Sequence, residues 1–108
     1  MEKIQRIPTP KMSEFLKDFM EPYHLSAYRL AKAIGVPVSR IQDLLHDRRK
    51  MTADTSIRLG RFFHQHDSFF MEIQMELDMR EARFALEDKK LNIIPVDQLL
   101  NVKYFKKH

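Results

Sequence analysis

Between Leu25 and Lys50 the 108-residue chain sets small, turn-forming and basic residues at intervals with a chemical use. Ala31 stands where two helices can cross closely. Gly35 follows four residues later, where the chain must turn, and Ile41 comes six residues after that to anchor a second helix. This Ala-x3-Gly-x5-Ile spacing is the grammar of a helix-turn-helix over residues 25–46. In such a motif the N-terminal part of the second helix enters the DNA major groove, where base edges are distinguishable. Val38, Ser39 and Arg40 occupy that first turn and Asp43 lies a turn later, so these four are the candidate base readers. Arg40 can donate two bonds to a guanine edge or contact a phosphate, and Val38 can touch a thymine methyl. Asp43 repels phosphate, so it accepts from cytosine, orients an arginine or acts as a negative filter. Arg48, Arg49 and Lys50 are placed to clamp phosphates, which fixes register without reading sequence. Arg29, Lys32 and Gln42 are further phosphate-binding candidates, and Tyr28 either offers its hydroxyl to a phosphate or packs.

Other chemistries find little support. The chain has no cysteine, which excludes disulfides, thiolate metal sites and a cysteine nucleophile. Only Gly35 and Gly60 are present, so a glycine-rich phosphate loop is ruled out and a turn-rich β-sandwich disfavoured. No carboxylates pair across a plausible cleft. His64, His66 and Asp67 have a loose metal-site look but read as a polar interhelical turn, and His24 and His46 stand without ligand partners nearby. The expectation is a non-enzyme with no catalytic residues, no metal and no cofactor. The start of the chain lacks an apolar stretch that could serve as a signal peptide, and no apolar run approaches the roughly 20 residues of a membrane span. The expected address is the cytoplasm, with no membrane partner.

Charge divides the chain. Residues 1–66 hold twelve Lys/Arg against seven Asp/Glu, whereas residues 67–88 hold two against seven. A basic front and an acidic segment behind it suggest surfaces with different partners.

The elements that must position these groups are helical. Residues 1–11, with Pro8 and Pro10, read as an irregular arm. Ser13 is the expected cap of a first helix presenting Phe15, Leu16, Phe19 and Met20, which Pro22 ends. Ser26 caps a second helix, Ala27 to Ile34, closed by Gly35. After Val36-Pro37 a third runs from Val38 to about His46, facing Ile41, Leu44 and Leu45 inward. Thr52 caps a fourth with Ile57, Leu59, Phe62 and Phe63 as its apolar positions. A long fifth helix over 67–86 carries Phe69, Phe70, Ile73, Leu77 and Phe84, with Met71, Met75 and Met79 beside them. It is apolar on more than one face, so Phe69, Phe70, Ile73, Met75, Leu77 and Met79 form the candidate dimer or partner surface. Residues 91–96 read as extended, with Pro95 allowing only an edge strand, and Asp97 to Tyr104 as a short helix. Lys103, Lys106 and Lys107 make a basic tail. The expected fold is all-α: five helices in a helix-turn-helix domain over 1–86, and a C-terminal extension over 87–108 with a possible short strand and short helix.

With those residues in view, the chain resembles the HigA-type antitoxins, a branch of the Cro/repressor-like (Xre-type) helix-turn-helix proteins. The resemblance is carried by Leu25 to Pro37, Ser39-Arg40-Ile41, Arg48-Arg49, the block Thr52 to Phe63, which is the most specific, and Phe69 to Gln74. It spans roughly residues 8–83. Three departures stand out. Lys11-Met12-Ser13-Glu14 replaces the usual His-Pro-Gly-Glu, Asp47 replaces the usual glycine before the arginine pair, and Phe70 replaces the usual tryptophan. The resemblance implies a homodimer that neutralises a cognate toxin, commonly a RelE-like ribosome-dependent mRNA endonuclease. It also implies that the dimer binds a palindromic operator and represses its own operon. The residues alone reach DNA binding and dimerisation; a stand-alone repressor without a toxin would share every DNA contact.

Overall fold

A computed structural model describes residues 7–87 and 89–100. Its helices are α1 (Met12–Met20), α2 (Ala27–Ile34), α3 (Val38–Leu45), α4 (Ala53–Phe62), α5 (Phe69–Glu87) and α6 (Val96–Leu99), with a 3₁₀ turn at Glu21–Tyr23. No strand occurs among the described residues. Residues 90–95 have no regular structure, which corrects the expected strand at 91–96: among the described residues no neighbouring segment pairs with them. The basic tail at Lys103, Lys106 and Lys107 lies outside the described residues, as does the start of the arm. None of the described helices is long and apolar enough to cross a membrane.

The five-helix body closes on one core. Leu16 of α1, Leu30 of α2, Ile41 and Leu44 of α3, Leu59 of α4 and Phe70 of α5 are all fully buried or nearly so. Phe70 meets Phe19, Phe63 and Phe69 in tilted and edge-on ring contacts at 5.1–6.1 Å between centroids. Phe70 is therefore core, and it drops out of the expected partner surface. Ile57, expected inward on α4, is exposed, while the polar pair Thr55 and Ser56 is buried in its place. Ser56 explains the exchange: its hydroxyl donates to the Asp67 carbonyl at 2.7 Å and accepts the Met71 N–H at 3.1 Å, tying α4 to the start of α5. Gly60 lies one turn on; a Cβ there would stand 2.7 Å from the His66 carbonyl oxygen, so only glycine lets α4 pass the 65–66 loop.

Helices α2, α3 and α4 stop in the same way. The Val36 N–H reaches the Ala31 carbonyl, Arg48 that of Asp43, and Gln65 that of Gly60. Each stop needs a left-handed residue, and these are Gly35 (φ 74°), Asp47 (φ 57°) and His64 (φ 60°). His24 (φ 51°) plays the same part after the 3₁₀ turn, whose end is closed by the Leu25 N–H on the Met20 carbonyl. A glycine-poor chain thus stops its helices mostly with histidine and aspartate.

Asp47 has a reason to be there. Ser13, expected as the cap of α1, is instead a buried position in its first turn, and its hydroxyl donates to the Asp47 carboxylate at 2.8 Å. The residue that caps the helix is Lys11, just before Met12, and its N–H is taken by the Glu14 carboxylate at 2.7 Å. Two positions where the resembled family has glycine, 13 and 47, thus carry a bonded pair.

This pairing makes a stability prediction. In a double-mutant cycle, Ser13→Ala and Asp47→Gly should be non-additive by about 0.5–3 kcal/mol. Asp47→Gly alone should cost little, because relief of the left-handed backbone offsets the missing bond by about 1–2 kcal/mol. Urea unfolding of the four proteins measures this, and strict additivity would remove the pair as a structural unit.

Candidate nucleic-acid interface

The turn of the motif is shaped by local rules and then locked from outside. Ser26 caps α2 by accepting the Arg29 N–H at 3.1 Å. The last carbonyls of α2 would face solvent unpaired, and Arg58 of α4 takes two of them. Its Nη1 donates to Ile34 O at 2.7 Å and to Gly35 O at 3.3 Å. Any Cβ at residue 35 would sit 3.3 Å from that Nη1, so glycine serves both the backbone angle and the approach of the guanidinium.

From there an ion-pair chain runs to α3. Arg58 Nε donates to the Asp54 carboxylate at 3.1 Å, and Arg40 Nη1 donates to the same oxygen at 2.7 Å. The Arg58 guanidinium first, and then Arg40, hold the Asp54 carboxyl below the usual carboxylate range. Arg40 thus leaves α3 already oriented by α4. The contact uses one of its three nitrogens, and the guanidinium keeps further N–H donors for another acceptor. Val38 and Arg40 are half-buried and Ser39 is exposed; the inward side of the helix is Ile41 and Leu44.

Asp43 holds a second pair of arginines. Its carboxylate lies 3.0 Å from Arg48 Nε and 3.8 Å from Arg49 Nη2. Of the alternatives open to Asp43, this geometry is that of an arginine-orienting residue. Lys50 goes elsewhere: its amine is 2.9 Å from Asp78 on α5 and does not join the pair beside Asp43. Gln42 is exposed, and its carbonyl meets His46 Nδ1 at 2.7 Å. Arg29 and Lys32 are exposed on α2. Tyr28 is exposed too, with the Lys32 amine 5.8 Å from its ring centroid, so it does not pack into the core.

The histidine-bearing turn is occupied by pairs within the chain. His66 Nε2 is 2.9 Å from Glu72, and Arg61 grips Asp67 with two bonds of 3.2 Å. The Ser68 hydroxyl and then His66 lower the Glu72 carboxyl, and Arg61 lowers Asp67. Among the described residues no group of three His, Asp or Glu is placed to hold a metal ion.

The sequence reading missed Asp54 and Arg58 as the residues that hold Arg40 and the turn. The signal was present: Asp54 and Arg58 are four apart on one helix, a spacing that pairs opposite charges, inside the most family-specific block of the chain.

The chain as a whole has counterparts among known proteins. A virulence-associated protein I from Dichelobacter nodosus is 36% identical over 90 residues, which cover 82% of this chain and 81% of that protein. The solved structure of the Pseudomonas aeruginosa antitoxin HigA with the higBA promoter superposes with a TM-score of 0.74 at 28% identity. The match takes in 82% of this chain and 99% of HigA. The chain belongs to the HigA-type antitoxin family. The antitoxin HigA-1 of Vibrio cholerae is 27% identical over 97 residues, which are 89% of this chain and 90% of that one. No family model matches the chain. Membership fits the geometry: the block from Thr52 to Phe63 that carries the HigA resemblance supplies both Asp54 and Arg58.

The Asp54 cluster sets a pH dependence whose sign is fixed. A carboxyl lowered in the folded state adds stability above its unfolded pKa and loses it as pH falls through the folded value. Asp54 is exposed, so the effect is modest and weakened by salt. Titration followed by carboxyl NMR should place Asp54 below its ordinary value, and Arg58→Ala should move it upward. An unmoved Asp54 in that variant would break the chain from Arg58 to Arg40.

Proposed function

We propose that this HigA-family chain is the antitoxin of a type II toxin–antitoxin module. In this reading it is a cytoplasmic homodimer that binds a palindromic operator and represses its own operon. It also neutralises a cognate toxin, a RelE-like mRNA endonuclease. The observation that carries the DNA half is the first turn of α3: Val38, Ser39 and the braced Arg40 stand at its open end, and Arg48 and Arg49 are held at its far end by Asp43. The DNA complex of the similar P. aeruginosa HigA supports the same assignment. The toxin half rests on family membership. Residues 1–86 act as the DNA-binding unit and 87–108 as an extension with a separate role.

The roles divide by chemistry. Arg40 reads a base edge, with Asp54 as its positioning residue. Val38 and Ser39 contact bases beside it, and Asp43 sets the two arginines and turns away misplaced phosphate. Arg48 and Arg49 bind phosphates, with Arg29, Lys32 and Gln42 contributing along the backbone. Lys50, drawn to Asp78, adds less.

Arg40→Ala should weaken operator binding by about 1–3 kcal/mol more than binding to random DNA. Equal weakening on both would make Arg40 a phosphate-binding residue. Replacing Arg48 and Arg49 by alanine should lower the salt slope of binding by about one unit for each phosphate no longer neutralised; an unchanged slope would return both to solvent. For the whole reading, the tagged chain co-expressed with the product of the adjacent gene should retain that protein and abolish its toxicity. Its dimer should place two α3 helices about 34 Å apart on DNA. Operator binding without any toxin partner would make the chain a stand-alone repressor.

A further inference from the structure

Two apolar surfaces of this chain stand open, and neither covers the other. The first is a groove of about 410 Å³ along α5, walled by Met51, Met71, Met75 and Met79 and rimmed by Glu72, Gln74, Asp78 and Lys50. Met75 and Met79 are 57% and 45% exposed, so the groove lacks an occupant among the described residues. The second is the segment after α5. Leu91, Ile93, Ile94, Val96, Leu99 and Leu100 are all exposed, Ile93 to 74%, and α6 packs against none of the other described helices. Six large apolar side chains within ten residues of one another are far beyond the scattered singles of an ordinary surface.

We propose that residues 89–100 of one copy lie in the methionine groove of a second copy, so that two chains exchange tails. The proposal rests on the homodimer reading and names the surface through which the two copies hold each other. Charge favours this match. At the groove the carboxylates of Glu72 and Asp78 outnumber the one amine of Lys50, while 89–100 carries Lys89 and Lys90 against the single Asp97. Methionine suits the role because its unbranched side chain adapts to an irregular apolar partner. The exchange is symmetric, so each copy fills one groove and offers one tail, and the assembly closes at two.

Because the chain lacks cysteine, introduced thiols report proximity without background. An equimolar mixture of Met75→Cys and Ile93→Cys chains should give a disulfide-linked mixed dimer on mild oxidation. A Met75→Cys and Tyr28→Cys mixture serves as the control and should not. Ile93→Asp with Ile94→Asp, both at exposed positions, should raise the dimer dissociation constant at least tenfold in sedimentation equilibrium, with an unchanged circular dichroism spectrum. An unaltered dissociation constant with no mixed disulfide would overturn the tail exchange and leave the homodimer standing. Ring closure within single chains of Met75→Cys/Ile93→Cys would overturn it in favour of each tail covering its own groove. A wild-type chain that stays monomeric at micromolar concentration, on DNA and off it, would overturn the homodimer reading and the exchange together.

Discussion

A helix that ends in the open leaves carbonyl groups without donors, and the turn between α2 and α3 is built around that need. Arg58 meets it from α4, with one nitrogen on the carbonyls of Ile34 and Gly35 and another on Asp54. The same carboxylate steadies Arg40, so the angle of the turn and the aim of the Arg40 side chain are set by one cluster. Gly35 belongs to it as the residue that leaves room for the guanidinium. Local grammar makes the turn possible, and a residue 24 positions away from Ile34 fixes it.

Much of this architecture is written locally and is therefore legible. Ser26 and Thr52 cap helices because a hydroxyl before a helical run accepts an N–H two or three residues on, and both do so. Gly35 ends α2 because it takes a left-handed angle without penalty. What escapes a local reading depends on distant partners. Ser13 looks like a cap until Asp47, 34 residues on, takes its hydroxyl. Lys50 reads as part of a basic loop until Asp78, 28 residues on, turns it toward α5. Phe70 and Ile57 exchange their expected environments because Ser56 draws the start of α5 onto the polar side of α4. The placement of Val38, Ser39, Arg40 and Asp43 on α3 was legible, but the brace on Arg40 and the pairing of Asp43 required the packed structure.

The family pattern places glycine at positions 13 and 47, whereas this chain bonds a serine to an aspartate there. The substitution keeps the left-handed stop after α3 and adds a tie between α1 and the loop that carries the arginine pair. It shows how one fold keeps a backbone shape while changing what holds it.

Gln74 gives the molecule a further property. Buried on α5, its side chain accepts the Met51 N–H at 3.0 Å and donates to Asp78 at 3.1 Å, and Asp78 in turn holds Lys50. The loop bearing the cations and the wall of the methionine groove therefore share one hydrogen-bonded junction. A group that engages Asp78 from the groove side competes with Lys50 for it and returns a positive charge to the loop. Any ligand of the groove that took Asp78 from Lys50 would be thermodynamically linked to any ligand of the loop, and linkage is reciprocal: the gain in affinity one conferred on the other would be returned in equal measure.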